Sequence, residues 1–123
     1  MNPLTIHQLK QHLSFFAGIP PRYWCTDHLN WETDRGVMKH CAIGHLYALA
    51  GQKKPDGSLI TRTELGKQVD QINLAINDVS FGYALSGIND GDDEKIVEKF
   101  GKTPKTRVLN VLKAAMGIPQ KKS

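Results

Sequence analysis

Four residues of the kinds that bind zinc fall between positions 25 and 45. Cys25, His28, Cys41 and His45 stand in the order C-x2-H-x12-C-x3-H, and His40 offers a substitute ligand. Cysteine thiolates and histidine nitrogens hold zinc tetrahedrally, and this spacing is typical of a single zinc finger. A usual finger has two cysteines followed by two histidines, so two ligand identities are exchanged here. Zinc is therefore the one candidate cofactor, and we expect no cofactor that folding requires.

Cys41 also invites a second chemistry, because it opens a predicted helix. Unpaired N–H groups at a helix N-terminus lower the pKa of a thiol and favour the nucleophilic thiolate. A thiol enzyme also needs a base and a residue that orients it, and the candidates are His28, His40, His45, Asn89 and Asp90. Every histidine lies at or before position 45, so the papain-like order of a cysteine followed much later by a histidine is absent. Cys41 could equally be a small core residue.

Other standard motifs are missing. The acidic run at 89 to 94 resembles part of a calcium loop, but Ile88 occupies a position where an EF-hand needs an oxygen ligand. A turn followed by a helix cap explains the same acidic residues. The chain contains no phosphate-binding glycine loop and no H-E-x-x-H zinc motif.

Length and composition indicate one folded domain over residues 1 to 123. The apolar fraction is 40% and the net charge is +4, which is too apolar and too weakly charged for a disordered chain. The first residues resemble neither a signal peptide nor a membrane span, so we expect a cytoplasmic protein. Its two cysteines are then expected to be free thiols or metal ligands, and a Cys25–Cys41 disulfide stays open only if the chain is exported. Residues 99 to 122 carry seven basic side chains and no acid, including Arg107 and a basic tail at about 117 to 123. We expect these basic residues to be mostly solvated.

The elements that must position these residues are mainly helical. We predict about five helices, with a short β-hairpin allowed within residues 22 to 40. Their expected ranges are 6 to 17, 41 to 50, 62 to 79, a short helix ending at Phe100, and a last helix opening at Thr103-Pro104. Capping boxes at Thr5 and Thr61 support two of the starts. The second helix is apolar on most sides, so we expect it at the centre, and the conformation of residues 81 to 88 stays open.

Aromatic residues surround the first two candidate ligands. Tyr23, Trp24 and Trp31 could stack on bases in a nucleic-acid-binding protein. Large aromatic side chains in an irregular segment more often fix that segment to the core. We therefore expect these three residues to be core residues.

Several short motifs resemble a group of small uncharacterised bacterial and phage domains. The motifs are Trp24-Cys25, the run CAIGHL at 41 to 46, Ile88-Asn89-Asp90, and Thr103-Pro104-Lys105 with Val108, Leu109 and Leu112. The corresponding pattern reads approximately W-C/T-x-G, C-A-L-G-A-L, I-x-x-x-N-D and T-x-x-x-V-L-x-x-L, over residues 22 to 115. The resemblance implies a compact helical domain, often encoded by phage, with no known activity.

That resemblance also separates the candidate residues. It places Cys41, Gly44 and the Asn89-Asp90 pair in a shared framework. It gives no consistent counterpart to His28 and a small residue in place of His45, which makes zinc less expected. We therefore expect a small accessory or regulatory protein of phage or mobile-element origin that binds a macromolecular partner, a protein more than a nucleic acid. The alternatives are a small cysteine-dependent enzyme using Cys41 and a zinc-stabilised nucleic-acid-binding module.

Overall fold

A computed structural model gives the structure of the chain and describes residues 4 to 118. Over this range the fold is mainly α-helical with one β-hairpin, as the sequence predicts. The helices are α1 (Ile6–Ala17), α2 (Ala42–Tyr47), α3 (Arg62–Ile76), α4 (Leu85–Asp90), α5 (Glu94–Phe100) and α6 (Pro104–Ala115). A 3-10 turn at Pro21–Tyr23 precedes strands β1 (Asn30–Glu32) and β2 (Met38–His40). The predicted basic tail lies outside the described residues from position 119 onward.

Helix starts follow the predicted caps. The Thr5 hydroxyl accepts the Gln8 N–H while the Gln8 side chain accepts the Thr5 N–H, which completes a capping box. Thr61 caps α3 by accepting the Glu64 N–H. The other half of the predicted capping box does not form, because the Glu64 carboxylate pairs with Lys54 at 2.7 Å. Thr103 caps α6 with Pro104 in its first turn. The cap residues therefore set where these helices begin.

Helix ends were less well predicted. We expected the second and third helices to continue to residues 50 and 79, but they end at Tyr47 and Ile76. Beyond both ends the backbone tightens into turns with bonds three residues apart, such as Leu49 N–H to the Leu46 carbonyl. The undecided segment at 81 to 88 includes the start of α4. Asn89 and Asp90 end that helix, and Gly91 follows as a left-handed C-cap.

The central element is α6, whereas we expected the second helix. Helix α6 packs against all five other helices of the described chain. Its buried side chains join one core with residues from the other five helices and the segment before the hairpin, including Phe16, Trp24, Leu46, Ile72, Ile88 and Phe100. Helix α2 is short, contributes Ala42 and Leu46 to this core, and also contacts β2. Among residues 4 to 118, no helix combines the length and apolar character needed to cross a lipid bilayer.

Candidate functional site

The four predicted zinc ligands lie around the junction between the hairpin and α2. Cys41 is the N-cap of α2, and His45 follows one turn later. Cys25 lies on the segment beside β2, where its N–H donates to the His40 carbonyl at 3.0 Å. His28 is exposed, and its ring stacks on Trp31 with 4.8 Å between the ring centroids.

These four side chains do not form one cluster. Within residues 4 to 118, the only group of three or more acidic, cysteine or histidine ligand atoms lying within 4.8 Å of one another is Asp27, Asp90 and Asp92. The Cys25 thiol instead donates to the His28 carbonyl oxygen at 3.4 Å. Both cysteines are free thiols. Zinc binding therefore stays a prediction that this arrangement of the four side chains does not support.

The Cys41 thiol is buried and is not activated. Its exposed fraction is 6%, and its sulfur accepts the Gly44 N–H at 3.4 Å. Burial raises the pKa of Cys41 and outweighs the N–H groups of Ile43 and Gly44, which act in the opposite direction. Desolvation thus cancels the benefit that we expected from the helix N-terminus. The thiol form dominates at neutral pH, which is unfavourable for nucleophilic catalysis.

His45 is a buried, neutral histidine. Its ring meets Trp24 edge-on with 4.9 Å between centroids, and it lies 5.1 Å from the His40 ring. Burial, followed by the nearby His40 charge, lowers its pKa to about 4, against a weaker opposing effect of a Tyr23 backbone hydrogen bond. The buried Nε2 atom has no hydrogen-bond partner. His45 is therefore not hydrogen-bonded through Nε2 to the Cys41 thiol, as a catalytic base would be.

Asn89 joins three parts of the fold. Its Oδ1 atom accepts the Ala42 N–H at 3.0 Å, which satisfies a donor in the first turn of α2. Its Nδ2 atom donates to the Cys25 carbonyl at 2.9 Å and to Asp90 at 3.0 Å. Because Asn89 is fully buried, these bonds make it a structural junction between α2, α4 and the segment before the hairpin.

Asp90 extends the same junction to the loop before the hairpin. Its carboxylate accepts the N–H of Asp27, a residue in the left-handed region with φ of 64°. The side chains of Asn89 and Asp90 are engaged with backbone groups and with each other, and neither bonds to a histidine of the described chain. Their predicted catalytic roles therefore stay predictions. The acidic group around Asp90 consists of the half-buried Asp90 with the exposed Asp27 and Asp92.

Arg107 completes the junction from the other side and was not expected there. Its guanidinium donates to the Ile88 carbonyl at 2.8 Å, the Asn89 carbonyl at 2.6 Å and the Gly101 carbonyl at 3.3 Å. It therefore satisfies the carbonyl ends of α4 and α5. Only 4% of the residue is exposed, and burial lowers its pKa. We had grouped Arg107 with the solvated basic residues, which is wrong. Its position four residues before Val111 on the inner face of α6 was the available signal.

The hairpin presents the second notable surface. We expected Tyr23, Trp24 and Trp31 in the core; Trp24 is there, at 4% exposed, whereas Tyr23 is only half-buried and Trp31 on β1 is 53% exposed. Trp31 pairs with Lys39 across the two strands, so both side chains leave the same face. A concave surface of about 510 Å³ lies on the hairpin beside the 3-10 turn, and we call it the hairpin groove. Its lining residues are Arg22, Thr33, Asp34, Arg35, Val37 and Lys39.

Comparison of the chain with protein-family models, curated proteins and solved structures gave no match in any of the three. The resemblance to small bacterial and phage domains stays an expectation from the sequence motifs.

Proposed function

We propose that this chain is a small accessory or regulatory protein that binds a protein partner through its hairpin. The single observation that carries the proposal is Trp31, a large aromatic side chain left half-exposed on a regular element. Tryptophan is strongly enriched among the residues that dominate binding energy in protein interfaces. Leu29, just before β1, and Met38, on the other face of the hairpin, are also exposed. The hairpin thus offers apolar area that the fold itself does not use.

Neither alternative function has comparable support. A cysteine-dependent enzyme needs an accessible thiolate, whereas Cys41 is buried with a raised pKa. A zinc-stabilised nucleic-acid binder needs four converging ligands, and the candidate ligands do not converge. A nucleic-acid surface would also be depleted of acids, but Asp34 lines the groove on the same hairpin as Trp31. The mixture of both charges around an aromatic centre suits a protein partner better.

The proposal also includes an origin and a cellular location for this chain. The resemblance to phage-encoded domains supports an origin in a phage or mobile element. A cytoplasmic location is part of the proposal, and both cysteines, which are free thiols, would stay reduced there.

Site-specific photocrosslinking tests the proposed function. A photoreactive phenylalanine replaces Trp31 in one variant and Leu74, an exposed apolar residue on α3, in a matched control. We expect position 31 to give one discrete adduct with another protein and position 74 to give none. The identified protein, once purified, should bind the wild-type chain and lose at least about tenfold in affinity for Trp31→Ala. Identical adducts at both positions, or only adducts between two copies of this chain, would overturn the proposal.

A further inference from the structure

We propose that the hairpin groove binds an extended peptide segment in which acidic and apolar residues alternate. This inference rests on the proposed function, because it names the chemistry of the partner segment. The groove takes its shape from the hairpin register. Thr33 N–H donates to the Val37 carbonyl at 2.8 Å, so pairing continues past the strands into the turn. Thr33, Val37 and Lys39 therefore leave the same face as Trp31.

Unpaired positive charge surrounds this groove. Arg22, Arg35 and Lys39 line it, and none has a carboxylate within 4.0 Å, since the only ion pair within residues 4 to 118 joins Lys54 and Glu64. Asp34 is the one acidic lining residue, so the cations outnumber it. Three cations around one concave surface create a positive local potential that attracts carboxylates.

One of these cations is already held in place. The Arg22 guanidinium lies 4.6 Å from the centroid of the Tyr23 ring and donates to the Tyr23 hydroxyl at 3.3 Å. Neither contact neutralises its charge. Preorganisation of this kind lowers the entropy lost when a carboxylate binds.

The floor of the groove favours apolar side chains. Val37 and the aliphatic stems of the basic residues provide apolar surface, and the Thr33 hydroxyl already accepts the Val37 N–H at 3.1 Å. An extended peptide presents successive side chains on opposite sides, so alternating residues can send apolar groups to the floor and carboxylates to the rim. The groove volume of about 510 Å³ lies within the range of sites that hold several side chains.

Nucleic acid fits the same surface less well. A phosphate backbone carries one charge at every nucleotide, and it would pass Asp34 as well as the cations. A peptide can place its carboxylates only where cations lie. A single-stranded oligonucleotide is therefore the competing outcome of the test.

Fluorescence anisotropy with three labelled probes tests the inference on the full chain. The probes are a soluble peptide with alternating glutamate and leucine, the same peptide with lysine in place of glutamate, and single-stranded oligothymidylate. We expect the acidic peptide to bind, with affinity falling as salt rises, and the basic peptide not to bind. Equal binding of both peptides, or tighter binding of the oligonucleotide, would overturn the proposal.

Two double variants localise the binding. Arg35→Gln with Lys39→Gln removes two groove cations, whereas Lys67→Gln with Lys102→Gln removes two exposed cations elsewhere. Both change net charge equally, and both should unfold at the wild-type temperature because all four residues lack ion pairs. We expect the groove variant to lose at least about tenfold in affinity and the control less than about threefold. Equal losses would contradict a site in the groove.

The two proposals can fail separately. If the partner crosslinked at Trp31 binds the groove variant as tightly as the wild type but loses affinity for Trp31→Ala, the hairpin is the interface and the groove is not. If that partner is indifferent to Trp31→Ala, the proposed function itself fails.

Discussion

The carbonyl oxygen of Leu29 lies directly against the Cα atom of Gly44, so close that a Cβ atom at position 44 would overlap it. The same carbonyl accepts the Cys41 N–H at 3.2 Å. The base of the hairpin is thus fixed to the first turn of α2 by one peptide group. This contact gives a physical reason for the glycine within the run at residues 41 to 46.

Replacing that glycine should be strongly destabilising. Gly44→Ala must push the hairpin away from α2, and we expect the free energy of unfolding to fall by about 2 to 3 kcal/mol. Gly66→Ala in α3 is the matched control, because a Cβ there meets only the Tyr47 hydroxyl at 3.4 Å. The control should raise stability by about 0.5 to 1 kcal/mol through helix propensity. Equal urea-unfolding curves for the two variants would contradict the close contact.

The buried guanidinium of Arg107 leads to a second prediction. Arg107→Met keeps much of the side-chain volume but leaves the Ile88, Asn89 and Gly101 carbonyls without this donor. We expect a loss of about 3 kcal/mol in unfolding free energy. The unfolding free energy of Arg107→Lys should lie between those of the wild type and the methionine variant. A lysine ammonium cannot reproduce the planar, forked set of donors of a guanidinium.

The control for this measurement is Lys102→Met. Lys102 is exposed just before α6, and its replacement removes the same formal charge as Arg107→Met. Its unfolding free energy should stay within about 0.5 kcal/mol of the wild type. A methionine variant at position 107 as stable as this control would show that the three carbonyls need no donor from α6.

Local features of this fold could be predicted from the sequence. The caps at Thr5, Asp93 and Thr103 are defined by atoms two or three residues apart, so the chain around each residue determines them. The buried apolar residues of α3, from Leu65 to Ile76, recur every three or four positions, which is the spacing that one face of any helix requires. These short-range rules explain why the helical class and most helix starts agree with the structure.

Long-range relationships could not be predicted in this way. Asn89 caps α2 from 47 residues away. Arg107, on α6, donates to the carbonyls of Ile88 and Asn89 on α4. Spacing within α6 could place Arg107 on the inner face of that helix, but no local pattern identifies the carbonyls that it contacts or the helix that Asn89 caps. Trp31 shows the converse: a large aromatic residue in a segment expected to be irregular favoured burial, but all three residues of β1 are exposed. The candidate groove depends on how the two strands pair, so only the structure could show it.

His45 should make stability depend on acid. Its pKa is lowered to about 4 from 6.5, so below pH 6.5 the unfolded chain binds a proton that the folded chain does not. The stability that the folded chain gains from a neutral His45 is fully present above pH 6.5 and is lost as the pH falls toward 4. We expect a loss of about 2 to 3 kcal/mol over this interval, measured by urea unfolding at successive pH values.

Two leucine variants isolate this effect from the titration of carboxylates. His45→Leu should remove that part of the pH dependence, whereas His7→Leu, at an exposed position on α1, should retain it. An NMR titration of the His45 ring should give a midpoint near the same low value. A midpoint at 6.5 would show that the ring is solvated.

The two thiols should differ in their rates of alkylation. In Cys25→Ser the remaining thiol, Cys41, is 6% exposed with a pKa raised by burial, so iodoacetamide should react at least about a hundredfold more slowly than in urea. In the matched variant Cys41→Ser the more exposed Cys25 should react faster, and its rate should still be rising above pH 9.0 because its pKa is also raised. Mass spectrometry of the quenched protein measures both rates. Rapid modification of Cys41 at pH 7 in the folded chain would contradict its buried thiol and would restore the case for a cysteine-dependent enzyme.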